Sequence, residues 1–128
     1  CMLQILYEHP MEWIDDGPRT LKATVDLEAI LSVSPDSARR RANGYLGHHV
    51  AMSIQAGDPV LVWGKRLVWR MQMHLSLRGF GRIATVGTVD VDAQTRDIIP
   101  LSVDEIISLQ ERANAIAIRL SPATTAAV

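Results

Sequence analysis

The chain has 128 residues, 48% of them hydrophobic and 21% charged, with a formal net charge of −1. That length and balance fit one globular domain and exclude a disordered or fibrous protein. No apolar run approaches the roughly 18 residues of a transmembrane helix, and the single Cys1 excludes an intrachain disulfide or a multi-cysteine zinc site.

At the start, "CMLQILYEHPMEW" has no basic segment before its short apolar run. It is therefore not a secretory signal, and a cytoplasmic location is expected. Cys1 stands directly before Met2 and reads as a residue left ahead of the natural start. "MLQILYE" reads as a short strand, with Leu3, Ile5 and Tyr7 alternating with Met2, Gln4 and Leu6. "HPMEWIDDGPR" is a loop by its prolines and Gly-Pro pair. "TLKATVDLEAILSVS" reads two ways: Thr20, Thr24 and Val25 favour a strand, whereas "DLEAIL" suits a short helix.

Ser34 is a good helix N-cap, Pro35 suits the first helical position, and Asp36 complements the positive helix end. Ala38, Ala42, Tyr45, Leu46 and His49 then mark one face of a helix running to about Ser53, and "QAGDP" ends it. "VLVW" and "LVWRMQMHLSL" are strands around the turn "GKR". In the second, Leu67, Trp69, Met71, Met73, Leu75 and Leu77 recur at period two, which defines a long strand with one buried face. "RGFGR" turns the chain into the returning strand "IATVGTVDVD", and "AQTR" leads to the short strand "DIIP". Ser102 and Glu105 form a capping box that opens a last helix with the stripe Ile106, Leu109, Ala113, Ile116, Ala117 and Leu120.

The expected fold is α+β: an antiparallel sheet of about three to five strands packed against two amphipathic helices. It forms a single domain over 1–128, with a helix-plus-sheet core at 34–100, a C-terminal helix at 103–120 and a flexible tail at 121–128. The long strand, about twelve residues at 66–77, spans roughly 40 Å. A covering helix rises only about 24–29 Å. The uncovered apolar remainder predicts a homodimer, with the sheet or its helical cover at the two-fold contact.

Candidate chemistry is sparse. "GTVDVDAQTRDIIP" puts Asp90, Asp92 and Asp97 close together, but a calcium loop opening at Asp90 needs a glycine at its sixth place and a bidentate acid at its twelfth. Thr95 and Leu101 stand there. As a strand, Thr88, Asp90 and Asp92 share one face, so these acids read as the solvated edge of a hairpin. His48 and His49 are neighbours on a helix and diverge by about 100°. His74 falls on the polar face of its strand and His9 in a loop, and no H-x-x-x-H pair or nucleophile motif occurs. The chain is read as non-enzymatic, with no catalytic, cofactor or metal residue assigned and no membrane contact. Trp69, Met71, Met73 and Leu75 read as core, and as the place for a ligand pocket or dimer contact.

Charge is uneven: residues 1–33 carry two basic and six acidic side chains, 34–82 eight and two, and 83–128 three and six. This basic middle is expected to be neutralised within the fold or by a second copy. Arg39, Arg40 and Arg41 lie in the first turns of a helix, where the dipole disfavours cations. They are the candidate contact to a partner or nucleic acid.

Two stretches resemble known families. "DLEAILSVSPDSARRRANGYL", at 26–46, resembles the helix-turn-helix of bacterial repressors, with a short helix, the turn "SVS" and an Arg-Arg recognition helix. That resemblance implies a DNA-binding regulator using Arg39, Arg40 and Arg41. Over 34–100, "SPDSARRRAN", "VWRMQMHL" and "VDAQTRDII" resemble the opening helix, tryptophan-led strand and closing V-D-A-x-T-G-x-I hairpin of small PepSY-type or cystatin-like modules, with Arg96 at the usual glycine. This implies a module that binds or inhibits a partner protein and has no catalytic residues. The expected function is thus a self-associating interaction module, with a DNA-binding regulator and a small-molecule binder as alternatives.

Overall fold

The capping and periodicity signals become two helices and six strands in a computed structural model, which describes residues 4–8, 17–18 and 28–119. In chain order these are β1 (Ile5–Tyr7), α1 (Pro35–His49), β2 (Ile54–Ala56), β3 (Val60–Trp63), β4 (Leu67–Leu77), β5 (Gly81–Asp92), β6 (Ile98–Ile99) and α2 (Val103–Arg119). The expected tail at 121–128, Leu120, most of the loop at 9–19 and the start of the stretch at 20–34 lie outside the described residues.

α1 begins as its sequence dictates. The Ser34 hydroxyl accepts the Ser37 N–H at 3.1 Å, and Pro35 occupies the first turn, where its missing N–H costs nothing. The helix stops at His49, short of Ser53, because Val50 leaves helical geometry (φ −122°, ψ −76°) while Val50 and Ala51 both donate to the Leu46 carbonyl. That early stop frees Ile54–Ala56 for β2, a strand too short to announce itself by periodicity. α2 opens on the expected capping box: the Ser102 hydroxyl accepts the Glu105 N–H and donates to the Glu105 carboxylate, both at 3.1 Å.

The α+β class is the one expected, but the sheet is mixed rather than wholly antiparallel. Its order is β1-β3-β4-β5-β6, with β2 also paired to β4, and β1 runs parallel to β3. A parallel neighbour requires a long crossover, and the chain supplies it through α1. β3 pairs with the first part of β4 and β2 with 73–75, so both lie along one flank of β4 while β5 fills the other.

Both helices pack on the same side. Leu61, Trp69, Met71, Met73, Leu75, Val89 and Val91 turn toward Ala38, Ala42, Leu46, Leu109 and Ala113 to form the core. Two polar contacts lock this layer: the Trp69 indole donates to the Val33 carbonyl at 2.8 Å, and the Tyr45 hydroxyl accepts the Leu101 N–H at 3.0 Å. Trp69, Met71, Met73 and Leu75 are at most 2% exposed within one chain. Of the apolar face on which a sheet-face dimer was expected, Trp69 to Leu75 are thus covered within one chain, while Leu77 at the strand's end stays half-buried.

The β4–β5 ladder is not regular. Its register shifts between Met73 and His74 and again between Leu75 and Ser76, so Val86 and Ile83 are each one residue extra. At the first bulge Gly87 adopts φ +147°, a backbone region that side chains rarely occupy.

The helix-turn-helix reading needs "DLEAIL" to be helical. Its described residues, 28–31, carry no helix. Ile30 is 81% exposed, and nearby Val33 donates to the Ala93 carbonyl, which fixes the approach to α1 as an irregular segment tied to the sheet. Without an apolar face to bury, a helix of that length is marginal. Among the described residues, no helix is long and apolar enough to cross a membrane.

Candidate functional site

Alternate residues of a strand point to opposite faces, so with both helices on one side the even-numbered residues of β4 form a second surface. Val68, Arg70, Gln72, His74 and Ser76 project there beside Val60 and Val62 of β3 and Thr88, Asp90 and Asp92 of β5. β1 extends the surface with Leu6, paired to Val62.

Arg70 is its central charge. Its guanidinium takes the Asp90 carboxylate in a two-pronged contact at 2.9 and 3.1 Å and the Glu8 carboxylate at 2.7 Å. Hydrogen bonding to Asp90, then its charge, and then Glu8 hold the guanidinium above its ordinary pKa, against the opposing effect of partial burial. Arg66 reaches Asp92 at 3.8 Å. These pairs join the basic middle of the chain to its acidic flanks, so part of the charge asymmetry is neutralised within the fold.

The acids of the hairpin edge are less solvated than a strand pattern suggests. The side chains of Asp90 and Asp92 are only 20% and 14% exposed. The Asp92 carboxylate accepts the backbone N–H groups of Gln94 (2.8 Å) and Thr95 (3.0 Å), which shape the turn. These two bonds, chiefly that from Gln94, hold its pKa below the ordinary carboxylate value. A carboxylate depressed in the folded state stabilises above its unfolded pKa, and that contribution is lost as pH falls through the folded value. Asp92→Asn, which keeps an accepting oxygen but no charge, should therefore flatten the decline in stability below about pH 4. Urea titrations between about pH 2 and 7 check this; an unchanged slope would assign the acid sensitivity elsewhere.

Arg96 keeps the turn that a glycine would make, at φ +71°. The Arg96 guanidinium donates to the Ser37 hydroxyl at 2.8 Å and so ties this strained residue to the first turn of α1.

Toward the other end of the same face is a depression of about 460 Å³, lined by residues that include Leu6, Val60, Val62, Gln72, His74 and Arg82. His74 lies on the polar face as its position predicts, yet it is only 7% exposed. Its Nδ1 lies 3.1 Å from the Thr85 hydroxyl. A Cβ on Gly57 would fall 2.6 Å from its Nε2, so glycine alone lets the β2–β3 connection close over the ring. Burial, and then the charge of Arg82, lowers its pKa from the ordinary histidine value. Sequence reasoning missed Glu8, Arg70 and Arg82. The opposite-charge pair Arg70–Asp90 was readable in principle, since hairpin register sets those positions facing.

The residues singled out from sequence do not converge. Arg39 donates to the Ala56 carbonyl at 3.3 Å and pairs with Asp58 at 3.5 Å, so it braces the β2–β3 connection. Arg40 is exposed and Arg41 half-buried. Trp69, Met71 and Leu75 are enclosed, and Met73 borders a cleft with Gly87 and Leu109. α2 carries a second apolar row that no described element covers: Val103, Ile107 and Ile118 are 71%, 47% and 68% exposed.

No family model, curated protein or solved structure matches the chain.

Proposed function

We propose that the chain is a non-enzymatic interaction module that pairs with a second copy of itself through the outer row of α2. The observation carrying this reading is the width of the helix's apolar surface. Leu109 and Ala113 are buried on the sheet, while Val103, Ile107 and Ile118 continue the apolar arc into solvent. A helix meant only to cover a sheet needs one stripe.

The charges favour an antiparallel pair about a two-fold axis. Asp104 and Glu105 lie in the first turn and Arg119 in the last. Two copies running in opposite directions place each acidic end beside the other's basic end and oppose the helix dipoles. In that arrangement Val103 faces the neighbouring Ile118, and Glu111, at the edge of the row, faces its own counterpart. The motifs resembling PepSY-type or cystatin-like modules support binding rather than turnover. The DNA-binding alternative has less support, because Arg39 is engaged within the chain and 28–31 is not helical.

Sedimentation velocity on the full chain tests the proposal. The wild type should sediment as a dimer at micromolar concentration. Ile107→Glu with Ile118→Glu should weaken association about tenfold or more, with little change in thermal stability because both side chains are already exposed. Glu111→Gln, which removes a like-charge contact, should tighten it. A monomeric wild type, or a dimer indifferent to the double substitution, would sink the proposal.

A further inference from the structure

We infer that the depression on the sheet face opposite the helices binds an organic monoanion with a short apolar tail, a medium-chain carboxylate by class. The cavity, about 460 Å³, lies within the roughly 300–1,000 Å³ typical of small-molecule sites. Its lining divides by chemistry. Leu6, Val60 and Val62 form an apolar wall from β1 and β3, whereas Gln72, His74 and Arg82 form a polar one from β4 and β5, with Gln4, Asp58, Arg70 and Thr88 completing the lining.

Pairing selects the head group. Arg70 is held between two carboxylates, Asp90 and Glu8, and the Asp58 carboxylate is matched by Arg39. Among the described residues, Arg82 is the cation lining this cavity without an acidic partner. One uncompensated guanidinium suits a carboxylate, which it can grip with two parallel hydrogen bonds. A phosphate dianion would demand a second free cation that the wall lacks.

The fold also explains why Arg82 is there. Two bulges in β5 shift the register by one residue each; their effects on facing cancel, and together they place Arg82 opposite Ser76, two positions nearer His74 than a regular ladder would. Bulges that re-aim side chains are often found beside binding sites. A tail extending from this head lies over Val60 and Leu6, where burying each methylene removes apolar surface from water. This surface is separate from the outer row of α2, so the inference stands apart from self-association.

Calorimetric titration of the full chain with octanoate tests it. The expected result is saturable one-to-one binding, weakened about tenfold or more by Arg82→Gln and unaffected by Arg78→Gln in the exposed turn. Octan-1-ol, which lacks the charge, and acetate, which lacks the tail, should each bind more weakly. Leu6→Ser should reduce octanoate affinity without altering acetate binding. Circular dichroism confirms that each variant is folded, and Ile107→Glu with Ile118→Glu should leave octanoate binding intact. Absence of saturable octanoate binding up to about 10 mM, equal affinity in Arg82→Gln, or equal affinity for inorganic phosphate would overturn the inference.

Discussion

Trp69→Ala should lower the stability of the chain by about 3–5 kcal/mol, or roughly 10–20 °C in Tm for a domain of this size. Trp69 is 1% exposed, and its ring lies among the largest fully buried side chains of the core. Truncation removes that apolar contact and leaves the Val33 carbonyl without its indole donor. The two contributions can be separated. Trp69→Phe keeps most of the volume and loses the N–H, so it should cost about 1–2 kcal/mol. Thermal and urea denaturation of both variants provide the measurement. A loss below about 1 kcal/mol for the alanine variant would mean that the helix layer does not close over β4.

The second large effect is expected at the bulge. Gly87→Ala should destabilise by about 1–3 kcal/mol, because φ +147° strains any side-chain-bearing residue there. The new Cβ would also approach the Met73 Cε at 3.1 Å, and Met73 is itself almost fully buried. Gly44→Ala gives the opposite sign. Gly44 lies within α1, a Cβ there meets nothing within 4 Å, and the exchange should stabilise by about 0.5–1 kcal/mol. The same chemical change thus reports two different backbones. If Gly87→Ala left Tm unchanged or raised it, the bulge geometry would be wrong.

The surface of β4 shows how a structural face becomes a candidate site. Its helix-facing residues are closed by α1 and α2, while the residues between them hold an ion pair, a buried imidazole and a depression. The link is the period-two alternation of a strand, which lets one sequence write a core and a recognition surface at once.

Local signals in the sequence were sufficient for the elements other than β2. Ser34 and Pro35 set the start of α1, Ser102 and Glu105 the start of α2, and the alternation from Leu67 to Leu77 set β4, because caps and side-chain periodicity act within a few residues. Three features were decided only by tertiary structure. The parallel placement of β1 beside β3 depends on a long crossover, whose direction no local pattern encodes. The burial of His74 depends on the Gly57 connection closing from another strand, so its place on a polar face did not reveal its desolvation. The grouping of Arg82 with His74 and Val62 depends on two register shifts in β5. Gly87 hinted at one shift, since glycine within a strand pattern often marks a bulge. The helix, strand and turn alphabet is therefore local, whereas the site is made by register and layer packing between residues far apart in the chain.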